Sequence, residues 1–200
     1  MAIAGKDFVV IAADTRMSSG YSILTRNSEA SHTLTSKAVI ATGGCRTDVV
    51  SLHKLLDIRM QQYKDAHQRE MHTHSIAQLL SNTLYYRRFF PFYAFNIVGG
   101  IDKEGKGAVY TYDAIGSFER VQYASQGSGQ KLIIPILDNV VGHKNRHDEK
   151  VEYTVDQVVE LVKDVFITAG EREITVGDSV VIHKITSKGI ETTRFELKQD

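Results

Sequence analysis

The stretch VVIAADTRMSSG, residues 9–20, carries the side-chain types that hydrolases use. An apolar run, residues 8–13, stops at Asp14, and a threonine, an arginine and two serines follow within five residues. A buried strand that delivers a carboxylate into a hydroxyl-rich turn can place a base beside a nucleophile. The structural alternative is an aspartate that pairs with Arg16 or accepts backbone N–H groups of the turn.

Three further features have chemically capable residues, and for each the plainer interpretation is favoured. Gly127-Ser128-Gly129 precedes a predicted helix and could bind an anion there, but a tight turn is the default. Cys45 opens the first predicted helix, where a thiol pKa can be lowered, but we expect a small buried residue. His143 and His147 have a spacing that suits zinc, but they lie in a charged segment, so we expect no metal site.

Composition limits the partners. The 200 residues contain 24 basic and 24 acidic side chains, so the formal net charge is zero, which argues against nucleic acid or anionic membrane as the main partner. No apolar stretch reaches the roughly 20 residues that span a bilayer, and the N-terminal residues do not resemble a secretory signal. A single cysteine excludes an intrachain disulfide and suits a reducing compartment.

The apolar periodicity predicts strands, two helices, strands, two helices and a final hairpin, all in one domain of residues 1–200. That order predicts an α+β fold with helix layers over mostly antiparallel sheets. Pro135 should kink the third helix or lie near its first turn, and Thr154 and Gln157 should cap the fourth. The predicted strands are 8–13, 21–24, 37–44, 93–100, 107–113, 118–124, 179–186 and 190–197, the predicted helices begin near 48, 75, 127 and 154, and 143–150 is a predicted charged loop.

The segment YYRRFFPFY, residues 85–93, is the densest aromatic stretch in the sequence. It holds six aromatic residues and two arginines in nine positions. One small core does not need so many rings, and tyrosine, phenylalanine and arginine are enriched at protein interfaces. We therefore expect part of this segment to contact another subunit.

Several long motifs resemble proteasome beta subunits. They are AADTR at the end of the first long strand, AVIATGG before a helix, RRFFPFYAFNIVGG with GKGAVYTYDAIGS, and LVKDVFITAGERE followed by GD. They occur in the family's order along nearly the whole chain and are closest to the non-catalytic class at the sixth position of the eukaryotic beta ring. The resemblance implies the four-layer αββα sandwich of N-terminal nucleophile hydrolases.

The resemblance also implies where a catalytic apparatus would lie. Active members attack with an N-terminal threonine whose α-amine moves the proton, while a lysine held by an aspartate favours the deprotonated nucleophile. Counting back from the matching aspartate, the nucleophile would precede Met1. The remaining family positions fall on Asp14, Ala30, Ser128, Glu173 and Val176. Only the aspartate and the GSG serine keep their type, because alanine replaces the lysine and glutamate and valine replace a second aspartate and serine.

The function implied by the resemblance is a non-catalytic structural subunit of the proteasome core particle (20S), without cofactor or metal. Its partners would be other alpha and beta subunits in a 28-subunit, four-ring assembly. Polypeptide substrates would enter the chamber during ATP- and ubiquitin-dependent degradation in cytoplasm and nucleus. The alternative is an active threonine-type endopeptidase subunit whose N-terminal threonine is missing from this sequence.

Overall fold

The computed structural model describes residues 1–149 and 151–200, so Lys150 of the predicted charged loop lies outside the described residues. The described residues form twelve strands and four helices. The strands are β1 (Ala2–Ala4), β2 (Phe8–Asp14), β3 (Met17–Ser19), β4 (Ser22–Thr25), β5 (Ser31–Thr35), β6 (Ala38–Gly44), β7 (Ala94–Ile101), β8 (Gly107–Tyr112), β9 (Phe118–Val121), β10 (Tyr123–Ala124), β11 (Ser179–Thr186) and β12 (Gly189–Glu196). The helices are α1 (Arg46–His67), α2 (Thr73–Tyr85), α3 (Gln130–Val140) and α4 (Val155–Arg172).

Two five-stranded antiparallel sheets form the centre of the fold. The first has the order β10-β1-β2-β11-β12, and the second has the order β5-β6-β7-β8-β9. In the first sheet, Asp14 at the end of β2 lies opposite Val180 on β11. In the second sheet, Gly44 at the end of β6 lies opposite Ala94 on β7.

Side-chain alternation along the central strands builds three apolar layers. On β2, Val10 and Ala12 pack in the core under α3 and α4, whereas Val9 and Ile11 pack between the two sheets. Strand β6 alternates in the same way between the core under α1 and α2 and the space between the sheets. Because a strand buried on both faces needs apolar residues at every position, this explains the continuous apolar runs. The result is the expected α+β, four-layer αββα sandwich.

The capping box predicted for α4 is confirmed. The Thr154 side chain accepts a hydrogen bond from the Gln157 backbone N–H, and the Gln157 side chain accepts one from the Thr154 N–H at 2.9 Å. These two bonds satisfy donors that a helix N-terminus leaves free. Helix α4 is thereby fixed at its start, and the segment after its last residue, Arg172, leads directly into the candidate site.

Two predicted strand regions, and the position of Pro135, differ between the sequence prediction and the structure. Residues 18–36 hold β3, β4 and β5 rather than one short strand and loops. The single strand predicted at 118–124 is wrong, because the chain changes sheets at Gln122: β9 pairs with β8, and β10 pairs with β1. Alternation of residue types cannot reveal such a change of partner strand. Pro135 lies in the interior of α3 rather than in its first turn.

None of the helices in the described part of the chain combines the length and hydropathy that a bilayer crossing requires.

Candidate functional site

A cleft of about 680 Å³ lies where β2 and β6 end and α3 begins. Asp14, Ala30, Ser128 and Val176 all line it, so the structure brings four of the five family positions together. Glu173, the fifth, does not line the cleft and reaches it only through Thr175. The long-range pairing of β2 with β11 and of β6 with β7 creates this grouping from segments far apart in sequence.

Asp14 enters the cleft from the end of β2, where backbone N–H groups donate hydrogen bonds to its carboxylate. Its Oδ2 accepts a hydrogen bond from the Gly177 N–H at 3.3 Å. Burial of the carboxyl raises its pKa to about 6, and the backbone hydrogen bonds of Gly177 and Arg16 offset part of this effect. Of the two structural roles predicted for Asp14, the structure supports backbone acceptance.

The position expected for a lysine holds Ala30, whose carbonyl accepts the Thr42 N–H at 2.9 Å. Among the described residues that line the cleft there is no lysine. Lys37 lies just before β6, at the opposite end of that strand from Gly44. The described cleft residues therefore offer Asp14 no lysine ammonium group; the Met1 α-amine interacts with Asp14 electrostatically, but burial lowers the pKa of that amine to about 5.

Arg16 lines the cleft but pairs with a different carboxylate. Its Nε donates to Asp178 Oδ2 at 2.8 Å, and Arg26 Nη1 donates to Asp178 Oδ1 at 2.6 Å. Asp178 is 1% exposed, and the hydrogen bond from Arg16 is the main cause that lowers its pKa. A Cβ on Gly177 would lie 2.5 Å from the Arg16 guanidinium, so this glycine makes room for the pair.

Asp178 is a structural residue beside the cleft that the sequence analysis did not single out. It adopts a left-handed backbone conformation with φ +70°, which aspartate tolerates better than most residues. The GD pair before the final hairpin was visible in the sequence. Its partners, Arg16 and Arg26, lie more than 150 residues earlier in the chain, at separations of 162 and 152 positions.

A short relay of hydroxyl groups leads from the cleft to Glu173. The Thr175 hydroxyl lies 2.6 Å from Ser128 Oγ and 2.7 Å from Glu173 Oε1. A threonine hydroxyl has one proton, and a carboxylate oxygen accepts, so Thr175 donates to Glu173 and Ser128 donates to Thr175. The Ser128 proton is therefore held by Thr175, which also lines the cleft.

Cys45 departs from its sequence-based expectation. Cys45 is exposed, so the expectation of a buried residue is wrong; hydrogen bonds to its sulfur, chiefly from the Thr47 hydroxyl, lower the thiol pKa. His143 and His147 lie in the loop between α3 and α4. Within residues 1–149 and 151–200, no group of histidine, cysteine and acidic side chains has the arrangement of a metal site.

The aromatic segment, residues 85–93, divides into one buried ring and five exposed rings. Phe92 is 3% exposed and belongs to the core under α1 and α2. The rings of Tyr85, Tyr86, Phe89, Phe90 and Tyr93 are all more than half exposed, and Phe89 reaches 92%. Core packing therefore explains only one of the six aromatic residues.

A family model described as proteasome subunit matches residues 1–185. The chain belongs to the proteasome subunit family. A protein named proteasome subunit beta type-1 from Arabidopsis thaliana is 48% identical over 205 residues, which cover all of this chain and 92% of that relative. Relatives with the same name from Dictyostelium discoideum and Drosophila melanogaster are 48% and 47% identical over 203 residues, covering all of this chain and 86% of each. Membership of the proteasome family agrees with the αββα layers and with the cleft at their edge.

Proposed function

We propose that this chain is a type-1 beta subunit of the proteasome core particle that contributes no peptidase activity of its own. One observation supports the absence of peptidase activity. Ala30 occupies the position where the resemblance expects a lysine, and among the described residues no lysine lines the cleft. A threonine hydroxyl has a high pKa, and a neighbouring ammonium group favours its deprotonation. Without that ammonium group, the cleft lacks the electrostatic help that the family's reaction needs.

The other family positions support the same proposal. Ser128 directs its proton to Thr175, and Thr175 directs its own to Glu173, so this relay serves the fold. Val176 packs in the apolar core beside α3 and α4 at the place of a serine. An apolar side chain there cannot orient an α-amine by hydrogen bonding.

The alternative function, an active threonine-type endopeptidase, requires a threonine upstream of Met1. Met1 and Ala12 exchange two backbone hydrogen bonds, of 2.8 and 2.9 Å, which continues the β1–β2 register. Two more residues in this register would reach the level of Asp14. A threonine there would lie beside a cleft lined by Ala30 and Val176 instead of a lysine and a serine, and for this reason we favour the non-catalytic function.

The proposed setting is the family's four-ring assembly of 28 subunits, with other alpha and beta subunits as partners. We place the chain in a beta ring, where it lines the chamber through which polypeptide substrates pass. ATP- and ubiquitin-dependent degradation in cytoplasm and nucleus is the corresponding cellular role. The full-length similarity to type-1 relatives and the exposed aromatic segment support this placement.

Co-purification tests the placement. A tagged copy of the chain, expressed in eukaryotic cells, should migrate on native gels and in gradients with alpha and beta subunits as one very large complex. Recovery of the chain only as a small free species would contradict the placement.

Covalent labelling tests the absence of peptidase activity. The purified particle is treated with an electrophilic inhibitor directed at threonine nucleophiles, and the intact mass of every subunit is measured. We expect adducts on other beta subunits, which serve as the internal control, and an unchanged mass for this chain. An adduct on the first residue of this chain would establish the alternative function.

A further inference from the structure

The aromatic segment presents its rings in a fixed shape. Successive turns hold its backbone, with the Arg87 N–H bonded to the Leu84 carbonyl at 3.1 Å and the Phe90 N–H bonded to the Arg87 carbonyl at 3.0 Å. At its end, the Tyr93 N–H donates to Asp48 Oδ2 at 2.8 Å. A surface that is already ordered loses little conformational entropy when a partner binds.

The segment is also positively charged, and no carboxylate of the described residues neutralises its two arginines. The Arg87 guanidinium lies 4.6 Å from the centre of the Phe92 ring, and the Arg88 guanidinium lies 5.1 Å from that of Phe89. Neither arginine forms an ion pair with a carboxylate of residues 1–149 or 151–200. The sequence from residue 71 to residue 101 contains no aspartate or glutamate.

A groove of about 490 Å³ adjoins the segment between the end of α2 and the turn at residues 115–117. Tyr85 and Tyr86 form one wall of this groove. The opposite wall is fastened to α2, since the Ser81 hydroxyl donates to the Gly116 carbonyl at 2.6 Å. The groove can therefore receive an apolar side chain beside the exposed rings without rearrangement.

We propose that residues 85–93 form a docking surface for another proteasome subunit, one that presents carboxylates next to aliphatic side chains. Aliphatic groups would cover the Phe89 and Phe90 rings, and carboxylates would pair with Arg87 and Arg88. Charge complementarity selects this partner over a second copy, because a twofold contact would oppose arginine pairs of like charge. The inference rests on the proposed function as a core-particle subunit.

Incorporation of variants into the particle tests the surface. Arg87→Glu/Arg88→Glu and Phe89→Ala/Phe90→Ala change exposed side chains, so we expect both variants to fold. The matched apolar control is Tyr21→Ala/Leu24→Ala, also exposed but on the β3–β4 hairpin. We expect incorporation to fall roughly tenfold or more for both segment variants and to remain near wild type for the control. Circular dichroism of each purified variant confirms that the fold is kept.

The outcomes separate this inference from the proposed function. If the wild-type chain is not incorporated, the proposed function fails; if it is incorporated and the segment variants are incorporated equally well, the docking surface fails. Binding of the isolated chain to vesicles of anionic phospholipid, lost in the segment variants while incorporation is unchanged, would also overturn the inference in favour of a membrane surface.

A cross-link identifies the partner's chemistry. In particles that contain Arg87→Lys/Arg88→Lys, a zero-length carbodiimide reagent joins the new amines to any adjacent carboxylate. Mass spectrometry should find positions 87 and 88 coupled to an aspartate or glutamate of a neighbouring subunit. Coupling only to residues of this chain, or none while other interface lysines react, would overturn the proposal.

Discussion

Asp14 and Asp178 lie near the same edge of the first sheet, yet their surroundings shift their pKa values in opposite directions. Asp178 is held by two arginines, and its pKa is lowered mainly by the hydrogen bond from Arg16. Asp14 accepts hydrogen bonds from backbone N–H groups, and burial raises its pKa to about 6. The difference separates a carboxylate that is stabilised by ion pairs from one that the fold buries without an arginine or lysine partner.

The largest expected effect comes from breaking the Asp178 pair. Arg16→Met leaves a buried carboxylate with one half-exposed partner, Arg26, so we expect the free energy of unfolding to fall by about 3 kcal/mol. Denaturant unfolding of the purified chain measures this loss. Arg26→Met is the matched control, with an expected loss of about 1 kcal/mol because its guanidinium is 46% exposed. Equal losses in the two variants would contradict the central role given to Arg16.

Asp14→Asn should increase the free energy of unfolding, in contrast to Arg16→Met. The folded-state pKa of Asp14, about 6, lies above the ordinary value of 3.8, so above pH 6 the folded state carries a buried charge at a cost. The variant removes that cost and should be more stable by about 2 kcal/mol near pH 8.

The pH dependence checks the origin of that gain. As pH falls through 6 toward 3.8, folded wild-type protein takes up a proton on Asp14 and the cost disappears. The advantage of Asp14→Asn should therefore shrink to less than half by about pH 4.5, measured by denaturant unfolding at both pH values. A difference that stays constant with pH would show that Asp14 is not the titrating group.

The smallest expected effect concerns the relay beside the cleft. Thr175→Val removes the hydroxyl that links Ser128 to Glu173 and keeps the side-chain volume. Because the groups are only partly buried and water can replace the lost bonds, we expect a loss of about 0.5 to 1 kcal/mol in unfolding free energy. A Thr175→Ser variant should restore most of it. A loss as large as that of Arg16→Met would mean that the relay stabilises the fold as strongly as the Asp178 ion pair does, contrary to this expectation.

The sequence predicted those features that depend only on residues close together in the chain. The apolar run of β2 and the Thr154 capping box are examples, since periodicity and capping act within one element. The Asp178 pair was not predicted because its members meet only after β2 and β11 have paired. The change of sheet at Gln122 depends on strand partners, and the exposure of Cys45 depends on how α1 begins beside β6.

The five family positions were found from the resemblance and not from periodicity. Four of them line one cleft, and their residue types follow directly from the sequence. What the sequence could not give was the ionisation of Asp14, which depends on how deeply the fold buries its carboxyl and on the backbone N–H groups that reach it.

Titration of Asp14 is the sharpest test of whether this cleft lacks a lysine ammonium group beside its carboxylate. With carboxyl-labelled aspartate, carbon NMR should give a midpoint near pH 6 for the Asp14 resonance, which Asp14→Asn identifies by its disappearance. In Ala30→Lys the midpoint should drop by roughly one unit or more, because an ammonium group favours the ionised form. A wild-type midpoint below about 4 would mean that a cation stabilises the ionised form of Asp14 in the wild-type cleft, and the proposed loss of the lysine's role would be wrong.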